Sequence, residues 1–442
     1  DELMPDPSWP VVVYDSGSGD GRALLGAARM AEMGIADVLV LEGGTAAWKA
    51  AGQPLATGVN VPCKTFGEHV LHDIPIQSVT PGDLHELRKT SRSVAVCDVR
   101  TSEEFAAHHL PGACSLPGFE LAAHLPALIR EHEHVFVNCA GRTRSIIAAA
   151  TAQALGFNCR AVENGTMGWH LAGFPVESGA SGLPETPHTE DTAAVVERAQ
   201  SLARMQGVGT VSAIALAGLR AAAGRRRPYL VDVRTRDEFL EGHIAGARWL
   251  PGGQAIQRTD DFLAVPGAPV VVVDDGDARG WLAAWWLRRM GLPSVQLLKG
   301  GMRAWREAGL EVETGNGRKR PKAVDRAARA VPTFGVEALQ ARLRQRSAPL
   351  LLDVGTSKSF ARAHLPGAVW LPRGWLEART AAHAAPDDEI IATAVDSAQA
   401  LLAAATLRDL GFTRASALSV GTLAWAEAGG AVEAGPPHSV AE

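Results

Sequence analysis

The sequence predicts α/β domains in tandem, each with a parallel sheet covered by helices on both faces, so that every domain has three layers. The chain of 442 residues is too long for one ordinary domain. One segment occurs three times along it, and short apolar runs alternate with helical stretches. Strands that alternate with helices form parallel sheets with both faces buried, which gives the predicted fold class.

The repeated segments define the predicted domains. The segment CDVRTSEEFAAHHLPGACSLP at Cys97 recurs as VDVRTRDEFLEGHIAGARWLP at Val231 and as LDVGTSKSFARAHLPGAVWLP at Leu352. The pattern G-x-x-x-W-x-x-x-G occurs four times, around Trp48, Trp169, Trp305 and Trp425. We therefore expect the second half of one domain and three complete ones, called the first to fourth copies: residues 1–58, 74–178, 207–315 and 331–436. Because the chain opens inside the first copy, we expect that residues upstream of Asp1 are missing from it.

The second copy illustrates the expected elements. Its runs SVAVCDV and HVFVN are short and apolar, as buried strands are. The stretch SIIAAATAQALG is expected to be a helix that ends at Gly156, a residue type that suits the position after a helix. Asp98, Arg100, Glu104 and His109 recur wholly or partly in the other copies, so we expect them to hold the fold rather than to react.

Composition excludes several classes of protein. The net charge of −5 argues against nucleic-acid binding, and no apolar run approaches the roughly 20 residues that span a bilayer. The five cysteines are sparse and include no C-x-x-C pair. We therefore expect a reducing compartment, the cytoplasm, with no disulfide framework and no metal site.

The segment VFVNCAGRTRSIIAAA places a cysteine between a predicted strand and a predicted helix. In open parallel sheets, ligands bind at the carboxyl ends of the strands. Free amides and the positive end of the helix dipole favour a thiolate at Cys139, and Arg142 and Arg144 add positive charge if they face inward. The thiolate is the nucleophile, and the same groups would hold an anionic substrate.

These motifs together resemble the rhodanese, or thiosulfate sulfurtransferase, family. The resemblance rests on D-V-R, E-F and H-x-P-G-A in order, on the cysteine loop and on the closing tryptophan pattern. The spacer NVPCKTFGEHV at Asn60 also resembles the connection in bacterial proteins with four tandem rhodanese domains. The resemblance implies a six-residue loop whose cysteine carries a persulfide. Here that loop consists of Cys139 as the catalytic residue and of five substrate-binding residues, Ala140, Gly141, Arg142, Thr143 and Arg144.

The other copies lack this cysteine. Alignment of VVVDDGDARG at Val271 with VFVNCAGRTR places Asp275 at the position of Cys139, and similar alignments place Asp15 and Ala394 there. None of these side chains can form a persulfide. We therefore expect one catalytic copy among inactive relatives that serve as scaffold or interaction surfaces.

The resemblance implies a reaction in two displacements, without a metal, nucleotide or organic cofactor. The donor would be thiosulfate or another sulfane donor, and the acceptor would be cyanide, a thiol or a partner protein. Two alternatives stay open on the sequence alone: a cysteine-based phosphatase or arsenate reductase, and a non-enzymatic sulfur carrier or scaffold. Phosphatase loops usually run C-x-x-x-x-x-R, one residue longer than the loop that ends at Arg144.

Overall fold

The computed structural model describes residues 4–56, 62–179, 189–222, 224, 227–317 and 321–436. The chain forms two compact units. Unit 1 comprises Asp1–Pro10, Gly34–Asp37 and Leu55–Gly317, and unit 2 comprises Val11–Met33, Val38–Pro54 and Arg318–Glu442. Unit 1 therefore holds the second and third copies, whereas unit 2 holds the strands of the first copy together with the fourth.

The first copy and the spacer contribute β1 Val11–Val13, α1 Arg22–Glu32, β2 Val38–Val40, α2 Gly44–Ala50 and α3 Pro62–Asp73. The second copy contributes β3 Ser78–Val79, α4 Pro81–Thr90, β4 Val94–Asp98, α5 Ser102–Ala107, β5 Cys114–Ser115, α6 Glu120–Glu131, β6 His134–Asn138, α7 Thr143–Ala154, β7 Arg160–Val162 and α8 Gly165–Leu171.

The third copy follows α9 Thr189–Met205 and contributes β8 Gly209–Val211, α10 Ala213–Ala221, β9 Tyr229–Asp232, α11 Arg236–Glu241, β10 Arg248–Trp249, α12 Gly252–Gln257, α13 Thr259–Phe262, β11 Val270–Val273, α14 Ala278–Arg289, β12 Val295–Leu298 and α15 Gly301–Glu307. The fourth copy follows α16 Lys322–Ala330 and contributes β13 Thr333–Phe334, α17 Val336–Leu343, β14 Leu350–Asp353, α18 Ser357–Arg362, β15 Val369–Trp370, α19 Leu376–Arg379, β16 Ile390–Thr393, α20 Ser397–Asp409, β17 Ala415–Leu418 and α21 Thr422–Glu427, with 3-10 turns at Arg373–Trp375 and Thr380–Ala382.

The three complete copies share one sheet topology. The strand orders are β3-β7-β6-β4-β5, β8-β12-β11-β9-β10 and β13-β17-β16-β14-β15, and every paired strand is parallel to its neighbour. In the first copy, β1 and β2 also pair in parallel. Helices flank these sheets, which confirms the predicted α/β class.

The repeated polar residues of the second copy hold the fold, as the sequence predicts. Asp98 and Arg100 form a buried ion pair of 2.8 Å at the end of β4. The ring of His109 stacks on Phe105, and its Nδ1 lies 2.9 Å from the carbonyl of that residue. The same histidine contact recurs in the third and fourth copies. Trp169 is buried and donates from Nε1 to the carbonyl of Pro175, so it too belongs to the core.

The second and third copies share one apolar core. Residues of α7, α9 and α14 pack in the same cluster, to which Phe66 of α3 adds an edge-on contact with Trp286. The indole Nε1 of Trp286 donates to the hydroxyl of Thr151 at 2.8 Å. The two copies are therefore joined by buried side chains, not only by the chain that links them.

The strand register in the sheet of the third copy shows that the alignment of Asp275 with Cys139 is wrong. The amide of Val99 donates to the carbonyl of Asn138, and the equivalent amide of Val233 donates to that of Val273. Asp274, rather than Asp275, therefore stands where the second copy has its cysteine. The four valines Val270–Val273 offer no internal mark of register, so a slip of one residue passes unnoticed in the sequence. The aligned loop is DDGDAR, in which Asp277 matches Arg142 and Arg279 matches Arg144.

The carboxyl group of Asp274 binds backbone amides of the loop that it begins. Its two oxygens accept hydrogen bonds from the amides of Gly276 and Gly280, at 3.0 and 3.2 Å. Burial raises the pKa of Asp274 to about 8, and the charge of Asp277 acts in the same direction. In the first copy, the carboxyl oxygens of Asp15 accept hydrogen bonds from the amides of Gly17 and Ala23.

We expect Arg100→Ala to lower the free energy of unfolding by about 3–5 kcal/mol, because it leaves the buried Asp98 carboxylate without its cation. Arg142→Ala removes an ion pair at the surface and should cost less than about 1 kcal/mol. Urea unfolding of both variants measures the difference. Equal losses would show that the Asp98 pair does not stabilise the fold.

The raised pKa of Asp274 predicts a pH-dependent stability. Because the folded state holds this proton more tightly than the unfolded state, stability should fall as the pH rises from about 4 to about 8, at about 1.4 kcal/mol per pH unit. Asp274→Asn should remove this slope, whereas Asp275→Asn should keep it. Unfolding curves at several pH values test the prediction, which fails if wild type and Asp274→Asn have the same slope.

Candidate active site

The loop after β6 is anchored through its carbonyl groups. The carbonyl of Cys139 accepts hydrogen bonds from the amide and the hydroxyl of Thr166, at 2.8 and 3.2 Å, and that of Ala140 accepts from the amide of Met167. A side chain at Gly165 would place Cβ 2.1 Å from the Cys139 oxygen, so only glycine permits this approach. The start of α8 therefore fixes the loop from behind.

The loop leaves backbone donors for a ligand. Across the described part of the chain, the amides from Ala140 to Ser145 make no hydrogen bond with another protein group. They lie at the amino end of α7, where the helix dipole favours anions. At the matching position of the third copy, the amides of Gly276 and Gly280 bind the carboxyl oxygens of Asp274. The same backbone can therefore bind oxygen atoms.

Cys139 carries the thiol of this loop, and it is 2% exposed. Its thiol donates to the hydroxyl of Ser145 at 3.4 Å, and that hydroxyl donates to the carbonyl of Arg142 at 2.9 Å. Ser145 was not predicted as a site residue. It is the third residue of α7 and directly follows the loop that the sequence predicts, and this position is the sequence signal for it.

Arg144 lies inside the domain, 4% exposed, and both of its terminal nitrogens bind the carboxylate of Glu104, at 2.5 and 2.7 Å. Burial lowers the pKa of Arg144, but the Glu104 carboxylate outweighs that effect and raises it, helped by the charge of an ionised Cys139. The guanidinium therefore lies within electrostatic reach of the sulfur. Glu104, expected only to hold the fold, also holds this loop arginine.

Arg142 faces away from the sulfur. Its guanidinium forms two hydrogen bonds of 2.8 Å with Glu68 of α3, and both side chains are about half exposed. The inward orientation that would bring its charge to Cys139 is not adopted. Glu68 lies in the spacer, 74 positions from Arg142, so no local pattern marks the pair.

The remaining loop positions contribute backbone rather than side-chain chemistry. Ala140 is exposed, Gly141 is partly exposed, and the methyl side of Thr143 packs on Gly67 of α3, where a Cβ would lie 2.9 Å from its Cγ2. Asn138, just before Cys139, donates to Asp98 and to the hydroxyl of Thr166, at 3.1 and 2.9 Å. It joins the cysteine loop to the buried ion pair of β4.

The other cysteines lie apart from this environment. Burial raises the pKa of Cys63 and of Cys159 to about 12. The thiols of Cys114 and Cys97 form a hydrogen bond of 3.6 Å on neighbouring strands, and all five cysteines of the chain are free.

Among the described residues, no helix is long and apolar enough to cross a membrane, and no cluster of side chains could hold a metal ion.

Comparison with known proteins gives one family match in each of the four copies. The Rhodanese-like domain family model matches residues 1–51, 80–172, 216–308 and 336–428. The crystal structure of thiosulfate sulfurtransferase from Pseudomonas aeruginosa is 32% identical in sequence and has a TM-score of 0.82, covering 98% of this chain and 80% of that one.

Two curated relatives match shorter stretches. A putative thiosulfate sulfurtransferase, SseB of Mycobacterium tuberculosis, is 32% identical over an alignment of 164 residues that covers 33% of this chain and 56% of that protein. The uncharacterized protein YqhL of Bacillus subtilis is 39% identical over 83 residues, 19% of this chain and 64% of that protein. The chain thus spans between half and two thirds of these relatives. Because the domain model matches most of the chain in four places, this protein belongs to the rhodanese family.

Proposed function

We propose that the second copy is a sulfurtransferase that moves the sulfane sulfur of thiosulfate through a persulfide on Cys139. The observation that carries the proposal is the position of this thiol on the loop that leads into α7, whose amides from Ala140 to Ser145 make no hydrogen bond with the described residues. Of the four copies, the second alone has a cysteine there, since Asp15, Asp274 and Ala394 stand at the matching positions.

The reaction proceeds in two displacements. The Cys139 thiolate attacks the outer sulfur of thiosulfate, a new sulfur–sulfur bond forms, and sulfite leaves with the electron pair of the broken bond. Cyanide or a thiolate then takes the outer sulfur of the persulfide, and the Cys139 thiolate is restored. The cysteine itself carries the transferred atom, so the cycle requires no metal or organic cofactor.

The chain supplies the charge that this cycle needs. The amides of Ala140, Gly141, Arg142, Thr143 and Arg144 would bind the sulfonate oxygens of the donor and the leaving sulfite. The hydroxyl of Ser145, 3.4 Å from the sulfur, can turn from the Arg142 carbonyl to donate to the thiolate. The charge of the Arg144 guanidinium would stabilise the anionic donor and the leaving sulfite. The side chain of Arg142 has no part in the proposal, because it binds Glu68.

The geometry argues against a phosphatase or an arsenate reductase. Such an enzyme needs a guanidinium that grips the oxyanion with its terminal nitrogens. Both terminal nitrogens of Arg144 are already bound to Glu104.

Free cysteines throughout the chain support the cytoplasm as its compartment. We propose that the physiological acceptor is a thiol, either of a small molecule or of a partner protein. If the chain is a sulfur carrier, the persulfide passes its sulfur directly to the partner protein.

We expect Cys139→Ser to lower thiosulfate:cyanide activity by at least about 10³-fold and to leave the unfolding curve unchanged. After thiosulfate treatment, intact mass should show one added sulfur atom on wild type, located by peptide mapping at Cys139, and none on the variant. A phosphatase substrate assayed beside thiosulfate should not be turned over. Sulfur found on another cysteine, with activity retained in Cys139→Ser, would refute the proposal.

The third copy offers a gain-of-function prediction. In a Cys139→Ser background, Asp274→Cys alone should restore little activity, because Asp277 still faces the loop and repels the donor. Replacement of residues 274–279 by CAGRTR should give measurable activity. Compared with Asp274→Cys, it also removes the carboxylates of Asp275 and Asp277, and it keeps Gly276 and Arg279. Steady-state turnover of thiosulfate compares the two. Near-native activity of Asp274→Cys alone would show that the charge around the loop is unimportant.

A further inference from the structure

The second and third copies meet at equivalent turns. Pro117 and Gly118 precede α6 in one copy, and in the other Pro251 precedes α12, which begins at Gly252. The two turns touch, because a Cβ on Gly118 would lie 2.7 Å from the amide nitrogen of Gly253. Three positions after each proline stand Glu120 and Gln254. Each of these side chains reaches across into the other copy.

Glu120 reaches the loop arginine of the third copy. Its carboxylate lies 2.6 Å from Arg279, which also binds Glu238 at 2.8 Å and contacts Asp277. One guanidinium therefore faces three carboxylates, and the net charge of the four groups is −2 when all are ionised. Together with the carboxyl group of Asp274 on the loop amides, this arrangement leaves no net positive charge for an anion.

Gln254 reaches the matching ion pair of the second copy. Its Nε2 donates to Glu104 at 3.3 Å, and a Cβ on the preceding Gly253 would lie 3.4 Å from Cδ of Arg144. In the part of the chain that the structure describes, Glu104 is the one carboxylate within ion-pair distance of Arg144. The net charge here is zero. Nε of Arg144 and Oε1 of Gln254 are both buried and make no hydrogen bond with the described residues.

We propose that Gln254, supplied by the third copy, is a specificity-determining residue of the Cys139 site. It holds Glu104 in place and, being neutral where its counterpart Glu120 is charged, keeps a single carboxylate opposite Arg144. The site then accepts an anionic sulfur donor, whereas the third copy does not. The inference rests on the proposed function for the identity of the donor, but its charge argument applies to any anion that approaches Cys139.

Three variants separate charge from packing. Gln254→Glu places a second carboxylate beside Glu104, and Gln254→Met removes the hydrogen bond with little change of shape. Glu120→Gln is the matched control, because it alters the equivalent position on the other side of the same contact. Circular dichroism and thermal unfolding establish that each variant is folded. If Gln254→Glu does not fold, Gln254→Met and the control still decide whether the contact matters.

The first readout is steady-state kinetics with thiosulfate. Gln254→Glu should raise KM by about tenfold at low ionic strength, with kcat changed less, and added salt should reduce the difference. Gln254→Met should raise KM by about two- to threefold, because the Glu104–Arg144 pair loses one support but gains no charge. Glu120→Gln should leave KM unchanged. Equal effects of Gln254→Glu and Glu120→Gln, or none of Gln254→Glu, would overturn the inference.

The second readout does not depend on sulfur transfer. Peptide mapping gives the alkylation rate of Cys139 with iodoacetate, an anion, and with the neutral iodoacetamide. The ratio of the two rates should fall by about tenfold in Gln254→Glu and stay unchanged in Glu120→Gln. If wild type shows no turnover of thiosulfate but the ratio falls as expected, the proposed function fails and the inference stands. An unchanged ratio in Gln254→Glu refutes the inference even if thiosulfate is a substrate.

Discussion

The ion pair between Arg144 and Glu104 is the contact on which the shape of the cysteine loop depends. A guanidinium with 4% exposure needs a carboxylate, since an unpaired buried charge costs several kcal/mol. Glu104 is itself fixed, because it accepts from the amide of Thr101 in the capping box of α5. The helix after β4 thereby fixes the first turn of the helix after β6. Carbonyl contacts from α8 fix the other side of the loop.

The third copy shows what this pair does without a thiol. Arg279 and Glu238 repeat it, with Glu238 in a capping box of the same kind. Since the pair survives where no persulfide can form, its primary role is to shape the loop, and its charge is available to chemistry only where other carboxylates do not cancel it. The two copies therefore share a scaffold and differ in electrostatics. A cysteine and a neutral Gln254 distinguish one loop, whereas acidic side chains crowd the other.

Patterns that lie within a single copy were enough to predict the parallel sheets and the position of Cys139 between a strand and a helix, because strand and helix periods and the strand–turn–helix order are local properties. Register in Val270–Val273 was not predictable, since identical side chains fit either alignment. The orientation of Arg142 depends on Glu68, and that of Glu104 depends partly on Gln254, 150 positions away. Side-chain partners brought together by packing leave no trace in a repeat or a motif.

The two arginines of the loop show why residue type alone does not assign a role. Both are cations within five positions of Cys139, and the sequence treats them alike. Arg142 pairs with Glu68 where both are about half exposed, and such pairs contribute about 0.2–1 kcal/mol because water competes for each charge. The Arg144 side chain is 4% exposed and its partner Glu104 is 35% exposed, so the charge of Arg144 is screened less than that of Arg142. Burial, which the packing of α5, α7 and α12 determines, therefore distinguishes two arginines that the sequence does not.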